Sequence, residues 1–219
     1  MKQMRAAVVA VMALLLLGVA TPGRAQTGVA ENRTLRITLK NLTSHQIFSP
    51  PLIAVGQHPD IFRLRHQARA GLVLIAEEGD NSKLAAAMER QQGVRRVIAL
   101  SDPVMPGDSL TVKVEVRAGE RLSLATMLVQ TNDGFTGVSA LSLDAIQYAS
   151  LRLRTFDAGS ERNNERRGFV PGPPFGGHRR SPTDGSVHYH PGIKGTGALD
   201  PSVYGWTDPS AVLSIDQVG

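Results

Sequence analysis

Apolar residues recur at every second position in several separated stretches of the chain. Leu35, Ile37 and Leu39 alternate with Arg36, Thr38 and Lys40, and Leu110, Val112, Val114 and Val116 alternate with Thr111, Lys113 and Glu115. Successive side chains of a strand point to opposite faces, so each stretch predicts a strand with one buried face. Leu151 and Leu153 alternate with Arg152 and Arg154 inside a strand-like stretch from Ala149 to Thr155. Ala211 to Val218 predicts a last strand, with Leu213, Ile215 and Gln217 on one face. Arg121 to Gln130 is largely apolar, as expected of a central strand. Ile47 to Val55 is apolar but broken by Pro50-Pro51, which predicts an edge or a bend.

The helical part lies between Gln67 and Gln92. Asp80-Asn81-Ser82 offers an N-cap, Lys83 to Gln92 holds good helix formers, and Gly93 can end the helix. A second short helix is predicted over residues 71–78. Residues 157–202 differ in kind: 9 glycines and 6 prolines in 46 residues predict a long irregular loop. A loop of that length inside a domain is usually functional or disordered. Many strands with one helical insert predict a mainly β fold, an antiparallel β-sandwich.

The N-terminus reads as an export signal. Lys2 and Arg5 precede an apolar run from Ala6 to Ala20, and Gly23-Arg24-Ala25 fits a small-residue cleavage rule. The expectation is a signal peptide over residues 1–25 and one domain over 26–219, secreted or periplasmic. The apolar run is shorter than the roughly 20 residues a spanning helix needs, and no similar run follows, so no transmembrane segment is expected. Loss of Lys2, Arg5 and Arg24 brings the basic count down from 24 towards the 19 acids. The high isoelectric point is then poor support for nucleic-acid binding, and none is expected. Arg162, Arg166, Arg167, Arg179 and Arg180 do cluster, either as a solvated loop or as a contact for acidic polysaccharide or lipid. The absence of cysteine excludes disulfides, thiolate metal sites and a cysteine nucleophile.

Two segments carry the candidate chemistry: Thr131-Asn132-Asp133-Gly134-Phe135-Thr136-Gly137 and Asp157-Ala158-Gly159-Ser160-Glu161. Each sets a carboxylate beside glycine where a strand should end. Asp133, Asp157 and Glu161 can then meet at one sheet edge, offering the charged oxygens that a hard cation such as Ca²⁺ requires. Asn-Asp-Gly is equally a strong turn sequence, and the acidic residues at 157 and 161 can simply start a solvated loop. A rival reading is a secreted metal-dependent enzyme or transition-metal-binding protein built on His188-x-His190 with His178 upstream, a spacing that suits Zn²⁺ or Cu²⁺. Phe135, Phe156 and Trp206 fall near the proposed cation site and either pack under its loops or form an apolar tip. The familiar hydrolase, zincin, Walker and dinucleotide motifs are missing, and the chain is not expected to be an enzyme.

Across residues 33–218 the chain resembles the spondin domain, the N-terminal module of the F-spondin and mindin matrix proteins that also occurs alone in secreted bacterial proteins. The resemblance rests on the two acidic-glycine segments together with Asn41-Leu42-Thr43, Phe48-Ser49-Pro50-Pro51 and residues 121–127. His190-Pro191-Gly192-Ile193 and Trp206-Thr207-Asp208-Pro209 complete the order. It implies a C2-like antiparallel β-sandwich and a Ca²⁺ site in the loops at one end, with Asp133, Asp157 and Glu161 at the ligand positions. The third position is usually Asp in the animal domains and is Glu here. Those domains also carry cysteines and thrombospondin-type repeats, so their partners do not transfer. The expectation is a monomeric, non-catalytic binding or adhesion module whose partner at the cell surface is an unknown protein, glycan or lipid.

Overall fold

The computed structural model describes residues 32–144 and 146–218; the expected signal segment lies outside the described residues. Two antiparallel sheets form the body. The first has the order β4 (Ser109–Val116), β1 (Arg33–Asn41), β10 (Ala211–Gln217), β7 (Tyr148–Leu153). The second has the order β3 (Val94–Ala99), β2 (Leu52–Gly56), β5 (Arg121–Met127), β6 (Gly134–Ser142), β8 (Thr155–Asp157), β9 (His188–Tyr189).

The inner faces meet in one core. Leu35, Ile37 and Leu39 of β1 and Leu213 and Ile215 of β10 pack with Ile53 and Val55 of β2 and Leu122 and Leu124 of β5. Each such side chain contributes about 1.5–3 kcal/mol by leaving water. The other face of the six-stranded sheet is not solvated. Leu52 and Ala54 of β2, Ala125 and Met127 of β5 and Phe135 of β6 pack against Leu72 and Ile75 of α1 (Ala70–Glu78) and Leu84 and Met88 of α2 (Ser82–Glu89). Helices thus make a third layer, and strands buried on both sides lose their alternation, which is why residues 121–130 read as continuously apolar.

The helix starts and stops follow local chemistry. Gly79 takes a left-handed conformation, φ 71°, and its N–H donates to Ile75 O to close α1. Asp80 Oδ1 accepts from Ser82 N at 2.8 Å at the entry to α2. Asn81 instead turns inward, donating to Pro50 O at 3.1 Å and Leu100 O at 3.0 Å. The helix ends at Glu89, short of the predicted Gln92, because the chain must turn into β3.

Three strands, β3, β6 and β9, lie outside those predicted. The stretch 149–155, read as one strand, is two. β7 ends at Leu153 in the four-stranded sheet and β8 begins at Thr155 in the six-stranded sheet. Asp208 stitches this crossing: Oδ1 accepts from Thr155 N at 3.1 Å and Thr155 Oγ1 at 3.2 Å, and Oδ2 lies 3.3 Å from Arg154 Nε. The segment 157–202 is also more ordered than an irregular loop. It holds β9, a 3₁₀ turn at Arg167–Phe169, the short helix α3 (Pro201–Tyr204), and a small core of Val170, Ile193 and Leu199. Among the described residues no helix is long and apolar enough to cross a membrane.

Candidate functional site

Register brings the two acidic-glycine segments together. Gly134 opposes Asp157 in the β6–β8 pair, and Ala158 N donates to Asp133 O at 3.1 Å. Asp133 and Asp157 therefore sit side by side at the end of the six-stranded sheet, 0% and 1% exposed. Thr131 shapes the turn before them: its hydroxyl donates to Leu128 O at 2.6 Å and accepts from Gly134 N at 2.8 Å.

Each carboxylate organises the start of the long segment. Asp133 Oδ2 accepts from Ser160 N at 2.8 Å, Glu161 N at 2.9 Å and Ser160 Oγ at 3.2 Å. Asp157 Oδ1 accepts from Gly159 N at 2.7 Å, and its Oδ2 accepts from the Asn163 side chain. Gly159 has φ 69°, and a Cβ there would lie 2.6 Å from Ser186 N, so both the turn and the close approach exclude a side chain.

Asp133 Oδ1 is buried with no hydrogen-bond partner. Burial, and then the negative charge of Asp157, push the Asp133 carboxyl up to about 7, against the help its three donors give the charged form. This atom is the anomaly of the site, because a buried charged oxygen without a partner carries a desolvation cost of about 1–3 kcal/mol or more.

Glu161 does not join the pair through its carboxylate. Oε1 accepts from Ser181 N at 3.0 Å and lies 3.7 Å from Arg180 Nε. Arg180 also donates to Glu77 Oε1 at 2.7 Å. Burial raises Glu161 to about 7, with Glu77 adding to the rise and Arg180 opposing it. The link from Glu161 to Asp133 is its backbone N–H. Among the described residues no three His, Asp or Glu side chains converge as a metal-holding group.

The three histidines are not assembled either. His178 Nδ1 lies 2.8 Å from Glu78 Oε2 on α1 and is exposed. His188 Nδ1 lies 2.8 Å from Ser186 O, and its Nε2 is 3.7 Å from Asp157 Oδ2. His190 is pushed down to about 4 by burial, its Nδ1 accepts from Gly192 N at 3.0 Å, and its Nε2 is buried without a partner. Of the three, His188 alone approaches a carboxylate of the pair, and His190 N donates to Thr155 O at 3.1 Å.

The aromatic residues near the site pack beneath it. Phe135 and Phe156 have centroids 5.4 Å apart, Phe62 lies at about 5 Å from both, and Tyr189 stacks on Phe156 at 5.5 Å. Trp206 lies against His190 at 5.1 Å. Three of the five clustered arginines build the loop: Arg167 covers Phe175, Arg179 covers Phe169, and Arg180 pairs with Glu77.

Three residues of the site carry no signal in the sequence pattern. Asn132 Oδ1 accepts from Glu165 N at 3.0 Å. Asn163 holds Asp157. Glu165, 2% exposed, accepts from Lys194 N at 2.6 Å and Thr196 N at 2.8 Å. Asn132 and Glu165 find partners about thirty residues away, and Asn163 reaches back six residues to Asp157, so only the fold reveals them. Comparison of the chain with protein-family models and with curated proteins gives no match.

Proposed function

We propose that the chain is a secreted, non-catalytic β-sandwich binding module, similar to the spondin domain, in which a divalent cation of the Ca²⁺ class ties the segment 157–202 to the turn before β6. The observation that carries this reading is Asp133 Oδ1: buried, unpartnered and beside a second buried carboxylate. Two carboxylates with one free charged oxygen fit a hard cation, which would supply the missing positive charge. Asp133 and Asp157 are the charged ligands. Glu161 acts at one remove, because its N–H and that of Ser160 fix the orientation of Asp133. Arg154, Asp208 and the β6–β8 pairing hold the two ligand-bearing backbones in register.

Extracellular modules use Ca²⁺ sites with Kd on the order of 10⁻⁴–10⁻³ M. At such affinity, about 10 mM Ca²⁺ stabilises by roughly 1.4–2.7 kcal/mol, a rise in melting temperature of about 5 °C for a domain of this size. Thermal unfolding in EDTA, Ca²⁺, Mg²⁺ and Zn²⁺ measures this. The expected outcome is a rise with Ca²⁺ that Asp157→Asn abolishes, with the EDTA value moved by no more than about 2 °C. A Ca²⁺ shift that survives Asp157→Asn removes the assignment. A response to Zn²⁺ alone, lost in His188→Ala, moves the site to the histidines.

A further inference from the structure

The surface is more basic than the composition indicates. Glu77, Glu120, Asp133, Asp157, Glu161 and Glu165 are all buried, whereas no lysine or arginine of the described residues is. The charges left in contact with solvent are therefore dominated by cations, and their placement decides what they meet.

One group of them lines a concavity. Between β2 and α1 the chain forms a hollow of about 300 Å³, walled by Asp60, Phe62, Arg63, His66, Gln67 and Arg69. No ion pair among the described residues engages Arg63, His66 or Arg69. A second hollow of about 220 Å³ shares Gln67 and continues past Ser160, Arg180, Thr183 and Asp184. The two hollows meet at Gln67, and Arg180 on the second is paired with Glu77.

The backbone of the first hollow is held in place. Ser139 Oγ accepts from Ile61 N at 3.0 Å and Phe62 N at 3.2 Å. Arg65 N donates to Val187 O at 2.8 Å, and Val187 N donates to His66 O at 2.9 Å. Between these anchors Arg65 takes φ 63°, a left-handed conformation that costs a non-glycine residue on the order of 1 kcal/mol and is retained where the surroundings fix it. Phe62 is fixed by packing on Phe135 and Phe156.

The wall combines an aromatic ring, two guanidinium groups, an imidazole, an amide and a carboxylate. This is the set needed by a sugar that carries a negative group: apolar ring face against Phe62, anion against Arg63 and Arg69, hydroxyls to Asp60 and Gln67. The volume suits a sugar ring, and the second hollow extends the site for a chain. A lipid surface would need protruding apolar side chains, which the wall does not offer.

We infer that this double hollow is a binding cleft for an acidic oligosaccharide, its anionic groups being carboxylate or sulfate. The inference goes beyond the cation site and stands without it. The test is calorimetric titration of the chain with oligogalacturonate, a heparin oligosaccharide and a neutral cello-oligosaccharide, all with EDTA present so that the result is independent of Ca²⁺. Arg63 is exposed and unpaired, so Arg63→Glu keeps the fold. Arg36→Glu, on the outer face of β1, makes the same charge change elsewhere.

Binding of either anionic probe, weakened about tenfold or more by Arg63→Glu and less than about twofold by Arg36→Glu, supports the cleft. Whether the carboxylated or the sulfated probe binds assigns the anion. Equal weakening by both substitutions reduces the effect to diffuse attraction and overturns the inference. So does the absence of binding to either anionic probe, or equal binding of the neutral probe.

Discussion

Asp133 holds two roles in one carboxylate. One oxygen orders the backbone at Ser160 and Glu161; the other is buried without a partner. Its pKa is raised from 3.8 to about 7. Between those values the folded chain keeps a proton that the unfolded chain has released, so stability falls as pH rises from about 4 to about 7 and is level above that. Glu161, raised from 4.5 to about 7, acts in the same direction. In EDTA the protein should therefore melt higher at pH 5 than at pH 8, by an amount on the order of a few kcal/mol in stability. Ca²⁺ should narrow that gap from the high-pH side, because it stabilises the ionised form. Asp133→Asn should make the EDTA profile shallower and leave the part due to Glu161. Melting curves at the two pH values, with and without Ca²⁺ and for the variant, check all three statements. Asp133 and Asp157 were legible as a close pair because glycine follows each closely and each sits at a strand boundary, Asp133 before β6 and Asp157 at the end of β8. Glu161 was legible as a position, but the direction of its side chain depends on Ser181, Arg180 and Glu77, which no local pattern brings together.

Elements are read from the sequence where one face is wet. β1, β4, β7 and β10 alternate cleanly, since the four-stranded sheet has a solvated outer face. β6 escaped because helices and neighbouring strands cover its first half, and its opening residues are turn formers. β3 escaped because its exposed arginines interrupt the apolar run at one edge. The break between β7 and β8 is set by Asp208, more than fifty residues on, and no local signal marks it. Asp208→Ala leaves the buried Thr155 N–H and hydroxyl without their acceptor. The expected cost is about 1–3 kcal/mol, read as a lower denaturation midpoint with an unchanged m-value. Ile75→Ala tests the third layer in the same assay. Ile75 is fully buried between α1 and the six-stranded sheet, so a loss of about 2–5 kcal/mol is expected.

At the scale of the molecule, charge and topology were the least visible in the sequence. Totals of 24 basic and 19 acidic residues understate how basic the surface is, because burial selects carboxylates. Topology could not be read from periodicity, which gives the faces of strands and not their neighbours. β1 lies between β4 and β10, with Leu35 opposite Gln217 and Asn41 opposite Ala211. The first and last strands of the described chain thus form the centre of one sheet. Until residues 211–217 have been synthesised, β1 has no partner on one side and β7 has no place to pair. Closing that sheet requires residues 35–41 to find residues 211–217 far along the chain, a non-local pairing that slows folding.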